Sequence, residues 1–168
     1  TGELGPLAAP GALRFLPYLS GERTPHNDSA VRGAFTGLDI GADRADLTRA
    51  VLEGVSFALR DNLEALKSTG ARLDRVLAIG GGTRSRYWVE LLATVLGLPV
   101  DMPEQGEFGA ALGAARLAIC GLTGAAPHNV MTRPPVAETI APRADLTAAY
   151  DAAYGDFAAA YPALKAMP

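Results

Sequence analysis

The stretch RVLAIGGGTRSRYW, residues 75–88, constrains this chain more than any other. A short run of branched apolar residues meets Gly80, Gly81 and Gly82, and a helical pattern begins at about Ser85. Glycine loses more conformational freedom on ordering than any other residue. Three in a row where a strand hands over to a helix therefore imply that something comes close to the backbone there. A strand, a glycine turn and a helix N-terminus together form a common nucleotide site: the glycines clear the ligand's path, and the helix start offers N–H groups and partial positive charge. The detailed spacing disfavours two phosphate cradles. No lysine follows at the position that a G-x-x-x-x-G-K-[ST] loop requires, and G-x-G-x-x-G fails at its last position, where Ser85 stands. On these residues alone two readings stay open, a ligand site or a tight strand–helix turn that meets no ligand.

The surroundings of the turn predict an α/β fold. A strand at 75–79, a helix from Ser85 to Leu96 stopped by Gly97, and a second strand in LPVDMPE (98–104) make a βαβ unit, which requires parallel strands. Upstream, residues 43–70 have helical periodicity. Leu47, Val51, Val55, Ala58 or Leu59, Asn62 or Leu63, and Leu66 form the apolar stripe, Asp43 or Asp46 is the cap, and Gly70 the stop. RFLPYLSGERTPH (14–26) reads as extended chain leading to a loop, and RGAFTGLDI (32–40) as a short strand. Residues 108–120 read as a helix rich in small residues, where Gly109 and Gly113 would admit a neighbouring backbone. Four prolines, Pro127, Pro134, Pro135 and Pro142, mark 121–144 as a connecting segment. In the final helix Tyr150, Tyr154, Phe157 and Tyr161 share one stripe, a core pattern rather than a cofactor box.

Composition narrows the function classes. With 168 residues the chain suits one compact domain. A net charge of −3 gives no basic field for nucleic acid or an anionic membrane. No basic-then-apolar leader opens the sequence, and no apolar run is long enough to span a bilayer. The single cysteine, Cys120, cannot form an internal disulfide and is expected as a small buried hydrophobe. A cytoplasmic location is the expectation. His26 and His128 are far apart and, with one cysteine, argue against a His/Cys metal site.

FLPYLSGERTPH, GAFTGLDIGADRADLTRAVLEG, AIGGGTRSRYWVELLATVLGLPV and EFGAALGAARLA together resemble the C-terminal domain of FGGY-family carbohydrate kinases, most of all xylulokinases, over residues 14–120. Gly33, Phe35, Gly37, Leu38, Asp46, Leu47, Ala50 and Glu53 match the family's second signature, with seven residues between Leu38 and Asp46. The resemblance implies a ribonuclease-H-like, actin-like ATPase fold. This chain would be its C-terminal, nucleotide-side lobe in incomplete form, without the sugar-binding N-terminal lobe and the phosphate-binding hairpin. It implies ATP or ADP with Mg2+ as cofactor and places Gly80, Gly81, Gly82, Thr83 and Ser85 at the adenosine. Relatives often carry asparagine at the Ser85 position, to hydrogen-bond the base; a serine there caps the helix equally well. No catalytic residue and no metal ligand is assigned in this chain, since the aspartate that deprotonates the sugar hydroxyl belongs to the other lobe. Glu22, Arg23 and His26 either help order the cleft or, as a Glu–Arg pair, simply hold their loop. The implied partners are nucleotide, sugar through the other lobe, and further copies of the chain through exposed apolar surface. Two rivals remain: an actin-like assembly module without phosphotransfer, and a Rossmann-type cofactor binder with Asp101 on the ribose.

Overall fold

The computed structural model describes residues 4–104 and 109–166. Two short strands open it, β1 (Arg14–Leu16) and β2 (Ala34–Thr36), paired antiparallel, followed by the long helix α1 (Arg44–Ser68). Then come β3 (Val76–Leu77), a 3-10 turn (Gly81–Arg84), α2 (Arg86–Leu96), β4 (Val100–Pro103), α3 (Gly109–Thr123), α4 (Pro127–Val130), β5 (Val136–Ile140) and α5 (Thr147–Lys165). The second sheet has the order β3-β4-β5, with β3 and β4 parallel as the βαβ pattern requires.

Local chemistry accounts for the helix ends. Both candidate caps of α1 act, in one reciprocal box: Asp43 Oδ1 accepts from the Asp46 N–H at 2.9 Å, and Asp46 Oδ2 from the Asp43 N–H at 3.3 Å. Gly97 closes α2 in the left-handed region (φ 65°). The strip where α1 crosses β1 is closer than any side chain permits. A Cβ on Gly54 would overlap the Phe15 carbonyl oxygen.

The main core joins Leu16 and Tyr18 to Phe57 of α1, Leu91 and Val95 of α2, and the aromatic stripe of α5. Tyr150 and Phe157 are fully buried, as the periodicity predicts. The stripe's hydroxyls all find acceptors: Tyr150 reaches the Ala8 carbonyl, Tyr154 reaches Asp61 at 2.6 Å, and Tyr161 reaches Asp28 at 2.9 Å. A second cluster of Val89, Ala93, Val100 and Ile140 packs α2 onto the three-stranded sheet.

Four expectations are corrected. The segment 121–144 is more than a connection: it contains α4 and the strand β5, which pairs antiparallel with β4 and makes the sheet mixed. Four of the five β5 residues are exposed, the burial of an edge strand, so they carry little apolar signal. The face that α1 buries is shifted from its leucine stripe: it is Ala50, Glu53, Gly54, Ser56, Phe57, Asp61 and Leu63, of which only Leu63 belongs to the stripe, while Val51, Leu59 and Leu66 stay exposed. Cys120 is only half-buried, because α3 buries none of its described side chains. On α3, Gly109 lies against the Ile79 side chain rather than a backbone, and Gly113 faces open space. Phe108, the first residue of the predicted helix, lies outside the described residues.

Candidate functional site

The glycine turn is a tightened 3-10 turn between β3 and α2. The Thr83 N–H and Oγ1 both bond the Gly80 carbonyl, at 3.1 and 2.8 Å, and the Ser85 N–H bonds the Gly82 carbonyl at 3.1 Å. Ser85 then caps α2, its Oγ accepting from the Trp88 N–H at 3.3 Å. That is the helix-cap role left open for this serine. A hydroxyl so placed satisfies one of the free N–H groups of the first helical turn.

The three glycines have different reasons to be glycine. Gly80 has φ 93°, a conformation that side chains rarely tolerate. A Cβ on Gly82 would overlap Trp88 Cζ3 and lie 2.9 Å from Cε3. Gly81 is exposed, has no positive φ, and a Cβ there would meet nothing within 4 Å among the described residues. Nothing among the described residues requires Gly81 to lack a side chain. Gly82 is thus a packing glycine, while Gly81 leaves room beside the turn, as Gly113, Gly121 and Gly155 do on their helices.

Beside the turn runs an apolar cavity of about 580 Å3, lined by Gly82, Thr83 and Trp88, by β3, and by Leu59, Leu63 and Leu66 of α1. The C-terminal part of the predicted leucine stripe, Leu59, Leu63 and Leu66, thus borders this cavity, while Leu47 packs against the core at β1. A smaller one of about 170 Å3 lies between Ile79 and the Gly109–Arg116 face of α3. The sequence-predicted residues Gly80, Gly81, Gly82, Thr83 and Ser85 are contiguous in space, as the turn dictates.

The other candidates lie elsewhere. Glu22 does not pair with Arg23: its Oε1 accepts from the Thr24 N–H at 2.7 Å, and Arg23 is exposed, with no ion-pair partner among the described residues. His26 stacks flat on Tyr161 with ring centroids 3.5 Å apart, which ties the loop to α5 and not to the glycine turn. Asp101 is buried in β4, where it accepts from Thr139 Oγ1 at 2.7 Å and pairs with Arg75 at 3.0 Å. Those hydrogen bonds hold its carboxyl below the usual carboxylate range. A carboxylate so engaged is not available to a ribose, which removes the support for a Rossmann-type site.

Two groups escaped the sequence reading. Trp88 lies against Gly82, and its one legible signal was an aromatic ring three residues after the capping serine. Glu53 is 1% exposed; Oε1 accepts from the Gly11 N–H at 3.3 Å, while Oε2 has no partner among the described residues. Burial pushes its carboxyl up to about 7, against the smaller opposing effects of the Gly11 bond, Arg14 and Arg49. Its signature match marked it as part of a motif but gave no hint of burial. Among the described residues no group of three or more His, Cys, Asp or Glu could hold a metal.

Residues 4–122 match the sequence model of the FGGY family of carbohydrate kinases, C-terminal domain. The chain belongs to that family. A xylulose kinase of Klebsiella pneumoniae is 49% identical over 108 residues, 64% of this chain and 22% of that protein. Among solved structures, a xyloylose kinase from Brucella ovis superimposes with a TM-score of 0.90 at 55% identity, covering 99% of this chain and 35% of that one. A xylulose kinase from Rhodospirillum rubrum gives 0.75 at 36% identity, covering 92% and 31%. The fold is therefore the actin-like ATPase fold of the FGGY sugar kinases, in partial form. The chain spans about a fifth of the length of the curated relatives it matches and about a third of the solved ones. None of the described helices is long and apolar enough to cross a membrane.

Proposed function

We propose that this chain is the nucleotide-binding part of an ATP-dependent ketose kinase, with D-xylulose as the acceptor. The whole enzyme moves the γ-phosphoryl group of Mg-ATP to a sugar hydroxyl, giving D-xylulose 5-phosphate in that case. Catalysis of this type is mainly positioning and charge stabilisation. This lobe contributes by holding adenosine against Gly80, Gly81, Gly82 and Thr83 and by closing on a second lobe that supplies the sugar site and the base. The observation that carries the reading is Gly81, an exposed glycine with no neighbour among the described residues that would exclude a side chain, at the end of a parallel strand beside an apolar cavity. The xylulose kinases among its relatives support the choice of sugar. No metal step is assigned to these residues; Mg2+ enters as part of the Mg-ATP substrate.

Two measurements test this. Calorimetry with ADP should show saturable binding to the chain. A coupled ADP-release assay over a panel of pentuloses should show no sugar-dependent turnover, because no base or sugar site is assigned to these residues. Turnover clearly above blank would place the chemistry in this chain and overturn the division of labour. Leu59, Leu66 and Ile79, at 43, 52 and 53% exposure around the open cavity, also favour self-association at micromolar concentration, which light scattering reads directly.

A further inference from the structure

We propose that Trp88 is the positioning residue of the glycine turn, and that it transmits the placement of α1 to the turn through its hydrogen bond to Ser56. The indole lies against Gly82 so closely that even a methyl group there would overlap the ring. Its Nε1–H donates to Ser56 Oγ at 3.2 Å, and Ser56 Oγ donates in turn to the Leu52 carbonyl at 2.7 Å. The serine hydroxyl has one proton and spends it on Leu52, so toward the indole it can only accept. The chain of donors runs one way, from ring to hydroxyl to helix backbone. Ser56 is fully buried, and leaving either member unpaired there is costly.

The same tryptophan acts on the far side of the turn, where its backbone N–H bonds the Ser85 cap. The turn is thus gripped at Gly82 by the ring and at Ser85 by the main chain of one residue. A glycine run has the largest conformational freedom of any sequence, and a ligand binding to it must otherwise offset the entropy of ordering it. Gly80 is held through its carbonyl, which accepts from Thr83, and the ring of Trp88 adds the contact that fixes Gly82. Ser56 lies three residues after Glu53, the last matched residue of the family signature, which makes the signature helix the reference against which the turn is set.

This inference rests on the proposed nucleotide site, and the test separates the two. ADP affinity by calorimetry, melting temperature and the emission of Trp88, the chain's single tryptophan, are measured for wild type, Ser56→Ala and Trp88→Phe. The expected result is that ADP changes the indole emission of wild type and that both variants bind ADP roughly three- to tenfold more weakly, the worth of one hydrogen bond, while still melting cooperatively. Trp88→Phe keeps a ring beside Gly82 without the N–H, so it carries the test if Ser56→Ala does not fold. Wild-type binding with both affinities unchanged overturns the positioning role and leaves the nucleotide site standing. Wild type that takes up no ADP at millimolar concentration overturns the site and the positioning role with it.

Discussion

Gly54 and Gly81 are glycines for opposite reasons. Gly54 lies in the crossing of α1 over β1, where a Cβ would overlap the Phe15 carbonyl and come within 3.2 Å of the Phe15 Cβ. Gly81 lies at the surface, where a Cβ would touch none of the described residues. Both stand in segments that match the same family, yet one belongs to packing and the other is free of it. A packing glycine is read from the atoms that surround its missing side chain; an open one, like Gly81 or Gly155, takes its role from a binding measurement.

The largest effect should come from the packed side. Gly54→Ala forces a methyl group against backbone that cannot rotate away, and is expected to lose about 3 kcal/mol or more in urea unfolding. A variant as stable as wild type would erase the contrast.

Its neighbour Glu53 sharpens the same side. Its carboxyl is raised to about 7 in the fold from an ordinary 4.5, so the native state holds this proton more tightly than the unfolded chain does. Stability from this group is therefore fully present below about pH 4.5, falls as the pH rises toward 7, and is level above. Asp28, Asp101 and Asp145, held low by their hydrogen bonds, give the opposite slope at more acidic pH. The difference between wild type and Glu53→Gln isolates the window from about 4.5 to 7, where the variant should gain roughly 1–3 kcal/mol on wild type. Equal pH profiles would show that Glu53 ionises freely.

At the border between the two regions, Ser85→Ala removes the cap of α2. It should cost about 1 kcal/mol of stability and, by releasing one of the two grips on the turn, a few-fold in ADP affinity at most, since Oγ is engaged with the Trp88 N–H. A loss of affinity without a loss of stability would return this serine to the base. The smallest effect belongs to the open side. Gly81→Val should change the melting free energy of the nucleotide-free chain by less than about 0.5 kcal/mol, as for a surface substitution away from any structural feature.

The βαβ unit was legible because its signals are local. The branched residues Val76, Leu77 and Ile79, a serine cap and a glycine stop each act over a few positions. What was not legible depended on context. The leucine stripe of α1 promised a core face, yet Leu59 and Leu66 border the open cavity, and the buried face carries Glu53, Ser56 and Asp61, which hydropathy reads as outward. Residues 136–140 lie between prolines and are mostly exposed, so β5 became visible only through its pairing with β4. At the site, the glycines were visible as a run, but their separate reasons were not. Telling Gly82 from Gly81 requires the indole of Trp88, a contact set by how α2 leaves its cap. The Glu22–Arg23 pairing failed because a backbone N–H two residues on lies nearer to Glu22 than its neighbour's side chain does.

The most direct measurement is an ADP titration by calorimetry of wild type beside Gly81→Val, with nucleotide-free melts of both. If the turn holds adenosine, wild type binds saturably and the valine, filling space the fold leaves empty, weakens binding more than tenfold, about 1.4 kcal/mol, with the melts superimposed. Equal affinity in the two proteins, or no uptake of ADP by either, would contradict the assignment of the glycine turn as the nucleotide site.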